Sequence, residues 1–193
     1  MKAKTALIAA VASVGIASAA QADTMYIDLS GWEVWGGFTA TPGSNGNSFL
    51  ILSNFGGGAG TEIVNIEFTN LVFESLGYSW QSELTVSVND WDGFTYTSFW
   101  DSTVPGAAQS PGMMGPVNAA FNNPGSYGSG PFTMAYNDLL ITVYESFNDG
   151  GNGVQDSVIL SGGITITYTP VPAPGALALL GLAGLVGTRR RRA

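Results

Sequence analysis

Residues 61–69 read TEIVNIEFT and residues 79–88 read SWQSELTVSV, and these two stretches decide the fold class. In the first, Val64, Ile66 and Phe68 alternate with Ile63, Asn65 and Glu67. In the second, Trp80, Leu84, Val86 and Val88 share one parity against Glu83, Thr85 and Ser87. Side chains on a strand point alternately to opposite faces, so period-two alternation marks strands with one buried face. The same reading predicts strands over 25–29, 32–39, 48–53, 94–100, 139–147, 157–160 and 164–169. Before the C-terminal tail no long stretch repeats apolar residues at helical spacing. Eight or nine short strands, with Gly and Asn between them, predict an all-β fold: an antiparallel β-sandwich of jelly-roll type over residues 23–169.

The connections differ in information. PGSNG at 42–46 and GGGAG at 56–60 read as ordinary turns. Residues 104–131, VPGAAQSPGMMGPVNAAFNNPGSYGSGP, carry five prolines and are expected to form one long loop. A connection of that length inside a domain is usually a binding loop or an excursion, and Met113, Met114 and Phe121 either line a contact surface or pack down on the sandwich.

Charge is distributed unusually. The six basic residues are Lys2, Lys4 and Arg189 to Arg192, and the chain has no His and no Cys. Between 23 and 188 there is therefore no cationic side chain, while all fourteen Asp and Glu lie there, and the formal −8 of the whole chain becomes about −14 for that body. Such a body cannot form an internal salt bridge; its carboxylates can be solvated, accept hydrogen bonds or bind cations from outside. It offers nothing to neutralise phosphate, so nucleic acid is not an expected partner. Thiol, imidazole, amine and guanidinium chemistry are all excluded. Only carboxylate chemistry is left, and the chain reads as a non-enzyme.

The acids fall into two groups. NDWDGF places Asp90 and Asp92 two apart after a predicted strand, and ESFNDGGNGVQD places Glu145, Asn148, Asp149, Asn152 and Asp156 around a Gly-rich loop. Calcium takes six to eight oxygens, which carboxylates, amides and bent backbone can supply. Asp149 and Asp156, then Asp90 and Asp92, are the candidate calcium ligands. The alternative is that they are turn residues hydrogen-bonding their own backbone, and the match to an EF-hand loop is poor. A glycosidase would need two carboxylates facing each other across a sugar groove; that is the third reading.

Tryptophan is frequent, at positions 32, 35, 80, 91 and 100. Strand parity places Trp80 in the core. Trp35, beside glycine, and Trp91, between two acids, are the candidates for exposed rings that stack on sugars.

The termini carry an address. MKAKTALIAAVASVGIASAAQAD opens with Lys2 and Lys4, continues through an apolar stretch from Ala6 to Ala20 and ends on Ala20-Gln21-Ala22, an A-x-A site for signal peptidase; residues 1–22 read as a secretory signal peptide. At the other end, residues 171–193 read VPAPGALALLGLAGLVGTRRRRA. At about 1.5 Å per residue, 171–188 would span roughly 27 Å, barely a bilayer's hydrocarbon core. The arginines favour the cytoplasmic side, which leaves the acidic body outside.

This order resembles the PEP-CTERM sorting signal of bacterial exported proteins, in which Val-Pro-Glu-Pro precedes a short membrane helix and a terminal arginine cluster. Val171, Pro172, Pro174 and Gly175 with Arg189, Arg190, Arg191 and Arg192 carry the likeness; Ala173 stands where the family usually has Glu. The resemblance implies a sorting segment over 170–193, transient membrane anchoring, and recognition by an exosortase. Residues 130–168 are loosely similar to the closing strands of proprotein convertase P-domains, a resemblance that supports a sandwich fold more than any activity. The expectation is an exported cell-surface or extracellular-matrix protein with a structural or adhesive role, in contact with exopolysaccharide; the alternative is a calcium- or carbohydrate-binding module.

Overall fold

A computed structural model of the chain describes residues 21–39, 41–121, 131–147 and 153–171, and the side chains of 96–99 are not described. The signal segment up to Ala20, Asp149, and the sorting residues Pro172, Pro174, Gly175 and Arg189 to Arg192 lie outside the described residues.

The described chain is strand after strand, with two short 3-10 turns at Phe55–Gly57 and Gln81–Glu83. In order it forms β1 (Asp23–Asp28), β2 (Glu33–Val34), β3 (Phe49–Leu52), β4 (Glu62–Ser75), β5 (Leu84–Trp91), β6 (Tyr96–Thr103), β7 (Gly112–Ala120), β8 (Phe132–Thr133), β9 (Asp138–Glu145) and β10 (Ser157–Thr169). The first sheet runs β1-β10-β4-β7, with β2 on β10 and β8 on β4; the second runs β3-β9-β5-β6. Each ladder is antiparallel, and four of them nest: β5 with β6, β4 with β7, β3 with β9, β2 with β10. Among the described residues no helix is long and apolar enough to cross a membrane.

The two sheets bury one core. Ile63, Ile66, Phe68, Leu71 and Phe73 of β4, with Ile159, Ile164 and Ile166 of β10, face Leu84, Val86 and Val88 of β5 and Leu139, Ile141 and Val143 of β9. Phe121, just past β7, stacks on Phe68 at 4.4 Å between ring centres and meets Trp100 edge-on at 6.4 Å.

Several sequence expectations change for identifiable reasons. Val64 does not share the buried face with Ile66 and Phe68: the register steps from Asn65↔Thr167 to Ile63↔Tyr168, so one extra residue on β4 turns Ile63 inward and Val64 out. A bulge of this kind inverts the parity of everything beyond it. The strands predicted over 157–160 and 164–169 are one, β10, bent at Ser161–Gly163, where Gly162 adopts φ 82° and the inward set moves from Ser157 and Ile159 to Ile164, Ile166 and Tyr168. The expected loop over 104–131 contains β7, with Pro116 inside it; an edge strand tolerates proline because one side of its ladder is unused. β7 escapes periodicity because it buries little besides Val117. Of the predicted 32–39 strand only Glu33–Val34 pairs. Trp80 lies outside the strand, ahead of the Gln81–Glu83 turn, and is 41% exposed.

Gly163 is where two ladders are closest: a Cβ there would collide with the Ile27 carbonyl of β1. Gly163→Ala should therefore lower stability by about 1 to 3 kcal/mol, the usual cost of overpacking, or roughly 2 to 4 °C of Tm per kcal/mol. Thermal melting against Ser161→Ala, at an exposed site on the same bulge, checks it.

Candidate functional site

The alternation that builds the core runs one step past its last apolar residue at one end of the sandwich. After Phe73, β4 turns Ser75 inward; before Ile159, β10 turns Ser157 inward; after Val143, β9 turns Glu145 inward. All three are buried. Ser75 and Ser157 are register partners with hydroxyls 3.2 Å apart, and Ser157 donates a short hydrogen bond across the sandwich to Glu145 Oε1. A carboxylate from the second sheet is thus tied to a hydroxyl from the first.

Asp156, 1% exposed, joins this cluster from the residue before β10. Its amide donates to the Val34 carbonyl at 2.8 Å, and its own carbonyl accepts from Leu76 at 2.7 Å. Its Oδ1 accepts from Ser79 Oγ at 3.2 Å, and the same hydroxyl is near enough to Glu145 to act on its carboxyl. Glu145 Oε2 is buried with no hydrogen-bond partner. Burial pushes the Glu145 carboxyl up from 4.5 to about 7; the hydroxyls of Ser157 and Ser79 oppose the rise, and the charges of Asp156 and Glu83 add to it. Two buried acids with no cationic side chain in the body can share a proton or take a cation from solution.

The other sequence candidates separate. Asp90 occupies the inward position at the far end of β5, where Asp90↔Leu139 lies at the opposite end of the ladder from Leu84↔Glu145. It is fully buried, and its two oxygens accept from the amides of Ala135 at 2.7 Å and Tyr136 at 3.0 Å. It thereby anchors the segment leading into β9. Asp92, two residues on, is exposed and closes its own turn: it accepts from Phe94 N at 2.7 Å, Thr95 N at 2.6 Å and Thr95 Oγ1 at 2.9 Å. The Thr95 and Phe94 amides hold its carboxyl below the usual range. Asp90 and Asp92 share parity but do not form a pair, because β5 ends at Trp91: Asp90 points inward from the strand, while Asp92 already belongs to the turn that follows. Among the described residues no three acids converge on one point.

Trp91 corrects the expectation of an exposed stacking ring: it is 4% exposed, because β5 is central and buried on both faces. Trp35 is half-buried. Its indole donates to Glu33 Oε2 at 3.1 Å and its amide donates to Asn47 Oδ1 at 2.7 Å, while its ring lies on Gly46, where a Cβ would sit 3.0 Å from it. Val171, first residue of the sorting-like motif, donates its amide to the Gly56 carbonyl at 2.9 Å and packs on Gly57 and Gly60.

Sequence reading missed the serines and, although the strand expected over 139–147 contains Glu145, grouped that residue with the acids around the Gly-rich loop. The available signal was parity: Ile141, Val143 and Glu145 form one inward series. It also missed Asp101 on β6, which accepts from Tyr144 Oη at 2.9 Å and is pushed up mainly by burial.

No protein-family model matches the chain, and no curated protein matches it. Among solved structures, the crystal structure of the infectious bursal disease virus VP2 subviral particle overlaps with a TM-score of 0.39 and 16% identity over 83% of this chain. The chain spans 36% of that structure's chain, and a likeness this loose carries no argument about role.

Glu145 keeps its proton to higher pH when folded than when unfolded. Its contribution to stability is therefore complete below about 4.5 and is lost as pH climbs through about 7, a loss of up to about 3 kcal/mol. In metal-free buffer the Tm should fall between pH 5 and 8, and Glu145→Gln should remove most of that fall, with Asp101 supplying a residual slope. Asp90→Ala, which strips two amides of their acceptor, should cost about 2 kcal/mol or more. Asp92→Asn is the exposed control: its remaining amide oxygen can still accept from both backbone amides, and its melting point should move much less than that of Asp90→Ala.

Proposed function

We propose that this chain is an exported β-sandwich module of the cell surface or extracellular matrix that works by binding and scaffolding rather than by catalysis. The observation that carries this reading is the charge distribution. A folded body with no cationic side chain is bracketed by termini that hold every basic residue, as expected of a segment carried across a membrane between two positively flanked apolar stretches. Signal peptidase acting after Ala22 and an exosortase acting near Val171 to Pro174 would remove both termini, leaving the acidic sandwich outside after transient anchoring by the sorting segment over 170–193. The described acids whose partners are known serve the fold: Asp90 holds backbone amides, Asp92 closes a turn, and Asp101 takes the Tyr144 hydroxyl. That supports scaffold over hydrolase, since a glycosidase would aim two of them across a groove.

The nested ladders support the finer reading of the sandwich as a jelly roll: a long β-hairpin ribbon, pairing β5 with β6, β4 with β7, β3 with β9 and β2 with β10, rolled until its two halves face each other. A structural or adhesive role at the surface, in contact with exopolysaccharide, is the use we assign to it. Carbohydrate stacking, if it contributes, rests on Trp35 and not on Trp91.

Intact-mass measurement of the mature form from its native host should show a start near Asp23 and loss of Arg189 to Arg192. Recovery of the arginine cluster on surface-exposed protein would sink the exosortase assignment. A cytoplasmic product that keeps its first residues would sink export itself.

A further inference from the structure

We propose that the Glu145–Asp156 pair binds a calcium-class divalent cation taken from the surrounding medium, and that this ion ties the two sheets together at their end. Both residues are 1% exposed, and they repel each other. They come from opposite sheets: Glu145 ends β9 of the second, and Asp156 immediately precedes β10 of the first. Elsewhere a buried acid pair can borrow a lysine or arginine; here none exists between residues 23 and 188, so the ionised pair is compensated by a proton or by a cation from the medium.

A second observation, independent of the acids' proximity, points to a ligand. Glu145 Oε2 is buried and has no hydrogen-bond partner, although burying an ionised oxygen without a partner is among the more costly things a fold can do. The neighbouring donors cannot supply one. Each serine hydroxyl carries a single proton: that of Ser157 goes to Glu145 Oε1, and Ser79 faces both acids with one proton, lying 3.2 Å from Asp156 Oδ1. A hydroxyl that turns its proton away offers lone pairs instead. Two carboxylates, each able to ligate through both oxygens, and Ser79 Oγ would then supply up to about five of the six to eight oxygens that calcium takes, with water completing the shell. The chain has no imidazole or thiolate to offer, so softer transition metals are disfavoured. With few protein ligands, the affinity expected is that of extracellular modules, with Kd about 10⁻⁴ to 10⁻³ M.

The inference deepens the binding role proposed above and is independent of how the termini are processed, so failure of the mass experiment and failure of this one are distinguishable. The test is thermal melting of the full chain, at fixed pH, in calcium chloride against sodium chloride at matched ionic strength, with a calorimetric titration of calcium alone. At a hundredfold excess over Kd, binding to the folded state only should raise Tm by about 5 to 10 °C for a domain of this size. The rise should vanish in Glu145→Gln and Asp156→Asn and persist in Asp92→Asn. Glu145→Gln, relieved of the buried charge, should melt at or above wild type without calcium, which shows that it folds. Equal melting of wild type in both salts, a shift that survives Glu145→Gln, or a titration without heat on the wild-type chain would each overturn the proposal. The titration needs no variant to fold.

Discussion

No side chain between residues 23 and 188 carries a positive charge, and much of the sandwich follows from that constraint. An ordinary domain neutralises a buried carboxylate with a guanidinium or ammonium group. Here each acid that enters the interior is met by dipoles. Asp90 is held by two backbone amides, Asp101 by a tyrosine hydroxyl, and Glu145 by a serine from the opposite sheet. Charge-assisted hydrogen bonds of this kind are worth more than neutral ones, but their number is limited by how many protons the neighbours bring.

The limit separates the two ends of the molecule. At the Asp90 end both carboxylate oxygens point at backbone donors, and the acid pins the approach to β9. At the Glu145 end the available protons belong to serine hydroxyls shared among several acceptors, and burial raises the carboxyl to about 7. One inward acid is thus saturated by backbone donors, and the other is left with a carboxyl raised by burial. The difference lies in donor supply, since both residues occupy the same kind of position: the inward site just beyond the last apolar residue of a strand.

Strand identity was largely legible because it depends on local alternation, and most of the predicted strands exist within a few residues. What failed was face assignment across irregularities. Val64 and Leu160 look like core residues in sequence and are 36% and 44% exposed, because an extra residue in β4 and the Ser161–Gly163 bend of β10 invert the parity. β7 was invisible for the converse reason: an edge strand buries too little to show a pattern. Trp91 was misjudged because its acidic neighbours suggest exposure, whereas β5 is covered on both faces.

By itself the sequence determined what depends on composition and on near neighbours in the chain: an all-β body, no internal countercharge, no imidazole, thiol, amine or guanidinium side chain in that body, and terminal segments with the pattern of export signals. The tertiary structure alone decided which acids meet. Glu145, Asp156 and Ser79 converge, while Asp90 and Asp92, two residues apart in sequence, part company. The reason is that pairing in a sandwich is set by which strand ends are brought to the same edge of the two sheets. That is a property of long-range ladders, whose partners can be as distant as Asp23 and Tyr168 and at this end are Ser75 and Ser157, 82 residues apart, and no local pattern of residues records it.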